Sequence, residues 1–110
     1  MAIAINIFKT VTADVTTVSS QVYAAPQGYT AVVLLAHVSN TGNNLITVTA
    51  DHVRSTTNTN ILTDAALPPN DALTLLTGKL ILQTGDKLYV KASADATAQI
   101  LVSVLETANP

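Results

Sequence analysis

Apolar and polar residues alternate along most of this chain, the two-residue period of an extended strand with one face on a core. Ile3, Ile5, Ile7 and Val11 share one parity, and Val18 and Val22 open a second segment that stops at Pro26-Gln27-Gly28. That tripeptide reads as a turn, proline fixing φ and glycine supplying a left-handed residue. Tyr29 to Val38 interleaves Ala31, Val33 and Leu35 with Val32, Leu34 and Ala36, so both of its faces are apolar. It reads as a strand buried on both sides, central in its sheet or covered by a neighbouring subunit. Asn40-Thr41-Gly42-Asn43-Asn44 is rich in turn formers and joins it to Leu45–Arg54, and the two segments read as a hairpin. Ser55 to Asn60 reads as a polar tip and Ile61 to Leu67 as a short strand. Pro68-Pro69-Asn70-Asp71 is a rigid corner that neither helix nor central strand tolerates. Ala72–Leu76, Lys79–Leu82, Leu88–Ala92 and Gln99–Glu106 complete the set, with a tight type II′ hairpin predicted at Thr84-Gly85-Asp86.

Eight or nine short strands at this spacing predict an all-β fold, an antiparallel β-sandwich of jelly-roll or Ig-like type. Only Ala65 to Leu76 competes as a helix, and Pro68-Pro69 interrupts it. The segments with the strongest alternation place the core at Val32, Leu34, Leu80, Leu82, Leu88, Val90, Ile100, Val102 and Val104. Without a linker or repeat, residues 1–110 read as one domain, and residues 1–12 as an arm or edge strand.

Composition changes the picture in one respect. The chain has 110 residues, of which 48% are hydrophobic, as in a folded domain, but only 11% are charged, well under the ~25% usual for soluble domains. Its polar positions are mostly Thr, Ser and Asn, which neighbouring protein covers at little desolvation cost, so much of the surface reads as occupied by partners. A net charge of −2, with five scattered Lys and Arg, argues against nucleic acid. Neither a basic leader nor an apolar run near the ~20 residues of a membrane span is present, which predicts a product made in the cytoplasm. Cysteine is absent, which excludes disulfides, thiolate metal sites and a cysteine nucleophile.

No catalytic constellation emerges. His37 sits in the most apolar segment with no carboxylate or nucleophile near it in sequence, and reads as a structural or interface histidine. Asp51 and His52 are adjacent in a strand, so their side chains point to opposite faces and form no chelate. Asp71, Asp86 and Asp95 fall at turns, where carboxylates bond local backbone. No phosphate loop, dinucleotide fingerprint or nucleophile elbow is present, and no cofactor or metal is expected. Exposed sugar platforms use aromatic rings, and Phe8, Tyr23, Tyr29 and Tyr89 are the only aromatics. That shortage lowers the alternative of a carbohydrate-binding module contacting a host.

The order Gly28-Tyr29-Thr30-Ala31-Val32-Val33-Leu34-Leu35, Asn40, Leu67-Pro68-Pro69-Asn70-Asp71, Gly78-Lys79-Leu80-Ile81-Leu82, Gly85-Asp86-Lys87-Leu88-Tyr89-Val90 and Ile100 to Glu106 resembles that of small β-sandwich virion proteins of tailed bacteriophages. The likeness is closest to those of contractile-tailed phages of cyanobacteria and other marine bacteria. It covers about three quarters of the chain through short motifs that are largely turn chemistry. It implies a non-enzymatic virion protein, made in the host bacterial cytoplasm, that decorates or cements the particle. The capsid surface is slightly favoured over a neck, tail or baseplate adaptor. The implied partners are copies of the chain itself in a trimer or ring, and other virion proteins such as the major capsid protein or a tail or neck protein. Ile3, Ile5 and Ile7, alternating in the segment where the resemblance is weakest, and Pro68 and Pro69 are the expected interface residues.

Overall fold

A computed structural model describes residues 6–76 and 78–109. Nine strands follow one another: β1 (Asn6–Val15), β2 (Ser20–Ala24), β3 (Tyr29–Asn40), β4 (Ile46–Arg54), β5 (Thr57–Leu67), β6 (Ala72–Thr74), β7 (Leu80–Leu82), β8 (Lys87–Ala92) and β9 (Ala98–Ala108). They form two antiparallel sheets, the first ordered β1-β9-β3-β6 with β7 also on β3, the second ordered β2-β8-β4-β5. Set out as pairs, β1 lies on β9, β2 on β8, β3 on β6 and β7, and β4 on β5. Each pair encloses the next in sequence, as though one long hairpin with its tip between β4 and β5 had been rolled up. That nesting is the jelly-roll topology, with its sixth element split into β6 and β7.

Where no bulge intervenes, every second residue of a strand faces the other sheet. In β9 these are Ala98, Ile100, Val102, Val104 and Glu106, all 2% exposed or less. Leu82, Leu88 and Val90 join them as expected. Val32 and Leu34 do not, and Leu80 is only half-buried. The reason is a bulge in β3 between Val33 and Leu35, where the register against β9 skips one residue. A bulge reverses the facing of everything beyond it. Inward residues are therefore Ala31 and Val33 before the bulge and Ala36, Val38 and Asn40 after it. The two apolar parities of β3 are successive stretches of one inner face, not two buried faces. Leu34 and Leu35 are left 40% and 41% exposed.

Two predicted hairpins are crossings between sheets. β3 and β4 belong to different sheets, so the loop at 41–45 spans the edge of the sandwich. Asn40, 1% exposed, organises that crossing. Its amide nitrogen donates to the carbonyls of Asn44 (2.8 Å) and Leu67 (3.1 Å), and its Oδ1 accepts from the Gly42 N–H (2.9 Å). β7 and β8 are divided in the same way, and the turn at Thr84-Gly85-Asp86 carries the chain across. Gly85 does take a positive φ of 86°, the freedom expected of glycine there. One local hairpin remains, β4 with β5, turning at Ser55-Thr56. The polar residues 57–60 are strand rather than tip, paired with Asp51 to Arg54.

Candidate functional site

Three carboxylates are buried, and two of them, Asp86 and Glu106, are held in ionic contacts between elements. Asp86, 2% exposed, stands at the start of β8. It accepts from Arg54 Nε (2.8 Å) and Nη2 (2.6 Å) and from the Gln83 N–H (2.9 Å), with His52 Nε2 at 3.2 Å. The Arg54 guanidinium foremost, helped by the Gln83 N–H and His52, outweighs burial and holds the Asp86 carboxyl far below the usual carboxylate range. The same contact raises the Arg54 guanidinium. A base held so far down, with its lone pairs occupied, is a poor proton acceptor near neutrality. At the other carboxylate, Glu106 takes a hydrogen bond from the Tyr23 hydroxyl and an ion pair from Lys9 Nζ at 3.0 Å. Burial first, then the hydrogen bond and charge of Glu106, push the Tyr23 hydroxyl well above its ordinary value. Each cluster ties the two sheets or their connecting corner together.

Asp51 and His52 face opposite sides of β4, as the strand period requires: Asp51 takes a hydrogen bond from Asn60 and His52 reaches Asp86. Asp71 caps its neighbour Ala72 locally, but Asp95 accepts from the distant Thr17 N–H at 2.8 Å, so it pins the β1–β2 connection, not its own turn. Among the described residues no group of three or more His, Cys, Asp or Glu is placed to hold a metal ion.

The larger feature is the outward face of the first sheet. Register places residues in rows across its strands, alternately inward and outward. One outward row runs Phe8, Leu105, Val32 and Ile81 across β1, β9, β3 and β7. Phe8 is 74% and Ile81 52% exposed. Leu34 and Leu35 lie beside it, displaced outward by the bulge. Farther along come Thr12, Leu101 and His37, then Asp14, Gln99 and Ser39, which line a shallow open groove of about 540 Å³. Among the outward residues paired in this sheet, Asp14 alone bears a formal charge. The outward face of the second sheet differs, with Lys87 and Lys91 on β8 and Asp51 on β4.

Of the expected interface residues, Ile3 and Ile5 lie outside the described residues. Ile7 is half-buried and pairs with inward-facing Glu106, so it sits on the core side of β1. Pro68 and Pro69 are exposed in the corner from β5 to β6, where Asn70 takes a positive φ of 59° and its N–H donates to the Asn40 carbonyl (2.9 Å). The sequence reading missed the row through Phe8 and Ile81. Phe8 breaks the isoleucine parity of its segment and is the visible signal, but the row itself exists only through pairings 49 to 97 residues apart (Val32 to Ile81, Phe8 to Leu105).

No protein-family model and no curated protein matches the sequence. Solved structures do. A chain of the capsid of Helicobacter pylori bacteriophage KHP30 superposes with a TM-score of 0.59 at 14% identity, covering 94% of this chain and 88% of that one. A chain of the Bacillus endospore appendages, described as disulfide-linked pili, gives 0.57 at 10% identity over 96% and 88%. A chain of the IBDV viral particle gives 0.53 at 12% identity, covering 96% of this chain but 32% of that one. At these identities the likeness is one of fold, a β-sandwich that this chain shares with proteins of capsids, viral particles and pili.

Proposed function

We propose that this chain is a non-enzymatic structural protein of a tailed-phage virion, decorating or cementing the particle through contacts with its own copies and with a capsid protein. The observation that carries the proposal is the outward face of the first sheet, apolar along one row and charged at Asp14 alone. Antiparallel sheets that face water alternate apolar-in with polar-out, and an apolar patch rimmed by polar residues marks a contact site. The fold shared with capsid and pilus subunits supports the same conclusion. Because the chain has no cysteine, its contacts form without disulfides. Pro68 and Pro69, exposed on a corner pinned to Asn40, supply a second, rigid contact surface in this proposal. The test is quantitative mass spectrometry of purified particles. Tens to hundreds of copies per particle support a capsid-surface subunit, a fixed small multiple moves it to a neck or tail ring, and absence from the particle refutes the proposal.

A further inference from the structure

We infer that the outward face of the first sheet is a two-fold contact with a second copy of this chain. The inference takes the assembly role above as given and names the surface and its geometry. Three observations lead to it.

The first is charge. The second sheet turns Lys87 and Lys91 outward, whereas the first offers Asp14 alone, at one end of one edge strand. A face that bears almost no charge meets its own copy without stranding ions away from water.

The second is area. Four strand positions at about 4.8 Å and an eleven-residue β9 give a face of roughly 19 by 36 Å. Two such faces bury on the order of 1,400 Å², the size of a standard stable interface.

The third is the placement of the apolar row. It lies near one end of the strands, between the rows of Asn6 and Thr10. A two-fold axis running across the strands at mid-sheet, through Ser103 of β9, would set this row against Thr12, Leu101 and His37 of the other copy, two of them polar. An axis along the row itself would leave most of the face overhanging. An axis parallel to the strands, midway between β9 and β3, does neither. It superposes the faces along their length, seats Phe8 of each copy on Ile81 of the other, and stacks Leu105 on Val32. It also sends the two Asp14 carboxylates to opposite edges. The contact is isologous, and it leaves the edge of β5 and the Pro68-Pro69 corner open to other neighbours.

The absence of cysteine makes a direct test possible. Facing sheets stack about 10 Å apart, beyond the reach of a disulfide but within that of a short bis-maleimide, and under this axis Phe8 of one copy lies a further three strand spacings, about 14 Å, sideways from Phe8 of the other. Mixed Phe8→Cys and Ile81→Cys proteins treated with that reagent should therefore give a covalent heterodimer in excess over either homodimer. Sedimentation of Phe8→Glu and, separately, Leu35→Lys should show self-association weakened about tenfold or more, with circular dichroism unchanged because both side chains are exposed. Association that survives both substitutions, or cross-linking no better than that of an exposed Lys91→Cys control, overturns this contact and leaves the assembly role standing. A monomer at every concentration that still enters particles does the same. A monomer that is also absent from particles removes both.

Discussion

Replacing Asp86 by alanine removes one carboxylate and unfastens three residues in two segments. Its oxygens hold the Gln83 N–H at 2.9 Å, which shapes the β7–β8 crossing, and Arg54 and His52 at the far end of β4. Arg54 is half exposed and recovers water when its partner goes, so most of the penalty comes from the buried part of the cluster. An N–H left without an acceptor costs about 1–3 kcal/mol, and the small cavity adds to it, for a total near 2–3 kcal/mol out of a domain stability of about 5–15. Asp86→Asn keeps an acceptor for Gln83 and should lose less, about 1–2 kcal/mol. Urea denaturation at neutral pH measures both. Acid separates them from ordinary packing defects. The folded-state carboxyl titrates below its unfolded value of about 3.9, so its stabilisation is complete above that value and disappears as pH falls through the depressed folded value. The wild type should lose stability in that acid range more steeply than Asp86→Asn. An asparagine variant within about 0.5 kcal/mol of wild type at pH 7, with an identical acid slope, would refute the assignment of a tie to this cluster.

Leu88→Ala and Ile100→Ala, at positions 0% and 2% exposed, should each cost about 2–5 kcal/mol in the same denaturation assay, whereas Leu34→Ser, on the outward face, should change it by less than about 0.5. Tyr23→Phe takes the hydroxyl donor from Glu106, which is 2% exposed, and should cost about 1–3 kcal/mol. Deleting residues 1–12 removes Lys9 and Val11 from β1 and should lower the melting temperature sharply. Replacing Pro68 and Pro69 together by alanine should leave the melting temperature within a few degrees and reduce incorporation into particles, and normal incorporation would exclude the corner from assembly.

What the sequence made legible was local. The alternation of Ile100, Val102 and Val104 fixed the facing of β9 because no irregularity interrupts it, and the turn at Pro26-Gln27-Gly28 was announced by residues whose backbone preferences do not depend on partners, Gly28 taking φ of 81°. The bulge in β3 left no such mark, since Val33, Leu34 and Leu35 are interchangeable in hydrophobicity, and the core assignment went wrong there for that reason. Residues 57–60, Thr-Asn-Thr-Asn, carry no apolar signal because the outer end of the β4–β5 hairpin lies beyond the core. Neighbouring segments were read as hairpins, yet in a nested fold a strand's partner is usually remote. The same remoteness hid the candidate sites, since Arg54 meets Asp86 across 32 residues and Tyr23 meets Glu106 across 83.

The nesting of strand pairs also sets an order of formation. β4 and β5, separated by two residues, can pair as soon as both have been synthesised, while each enclosing pair closes a longer loop, ending with Asn6 against Thr107. Closing such loops is slow, because chain entropy is spent before the contact is gained. β9 is the last of the nine strands to be made, and it lies between β1 and β3. Until it inserts, Phe8 and Val32 are not neighbours and the outward row does not exist. A nascent subunit on the ribosome thus has no adhesive face to offer, and competence to associate arrives with the strand that completes the sheet.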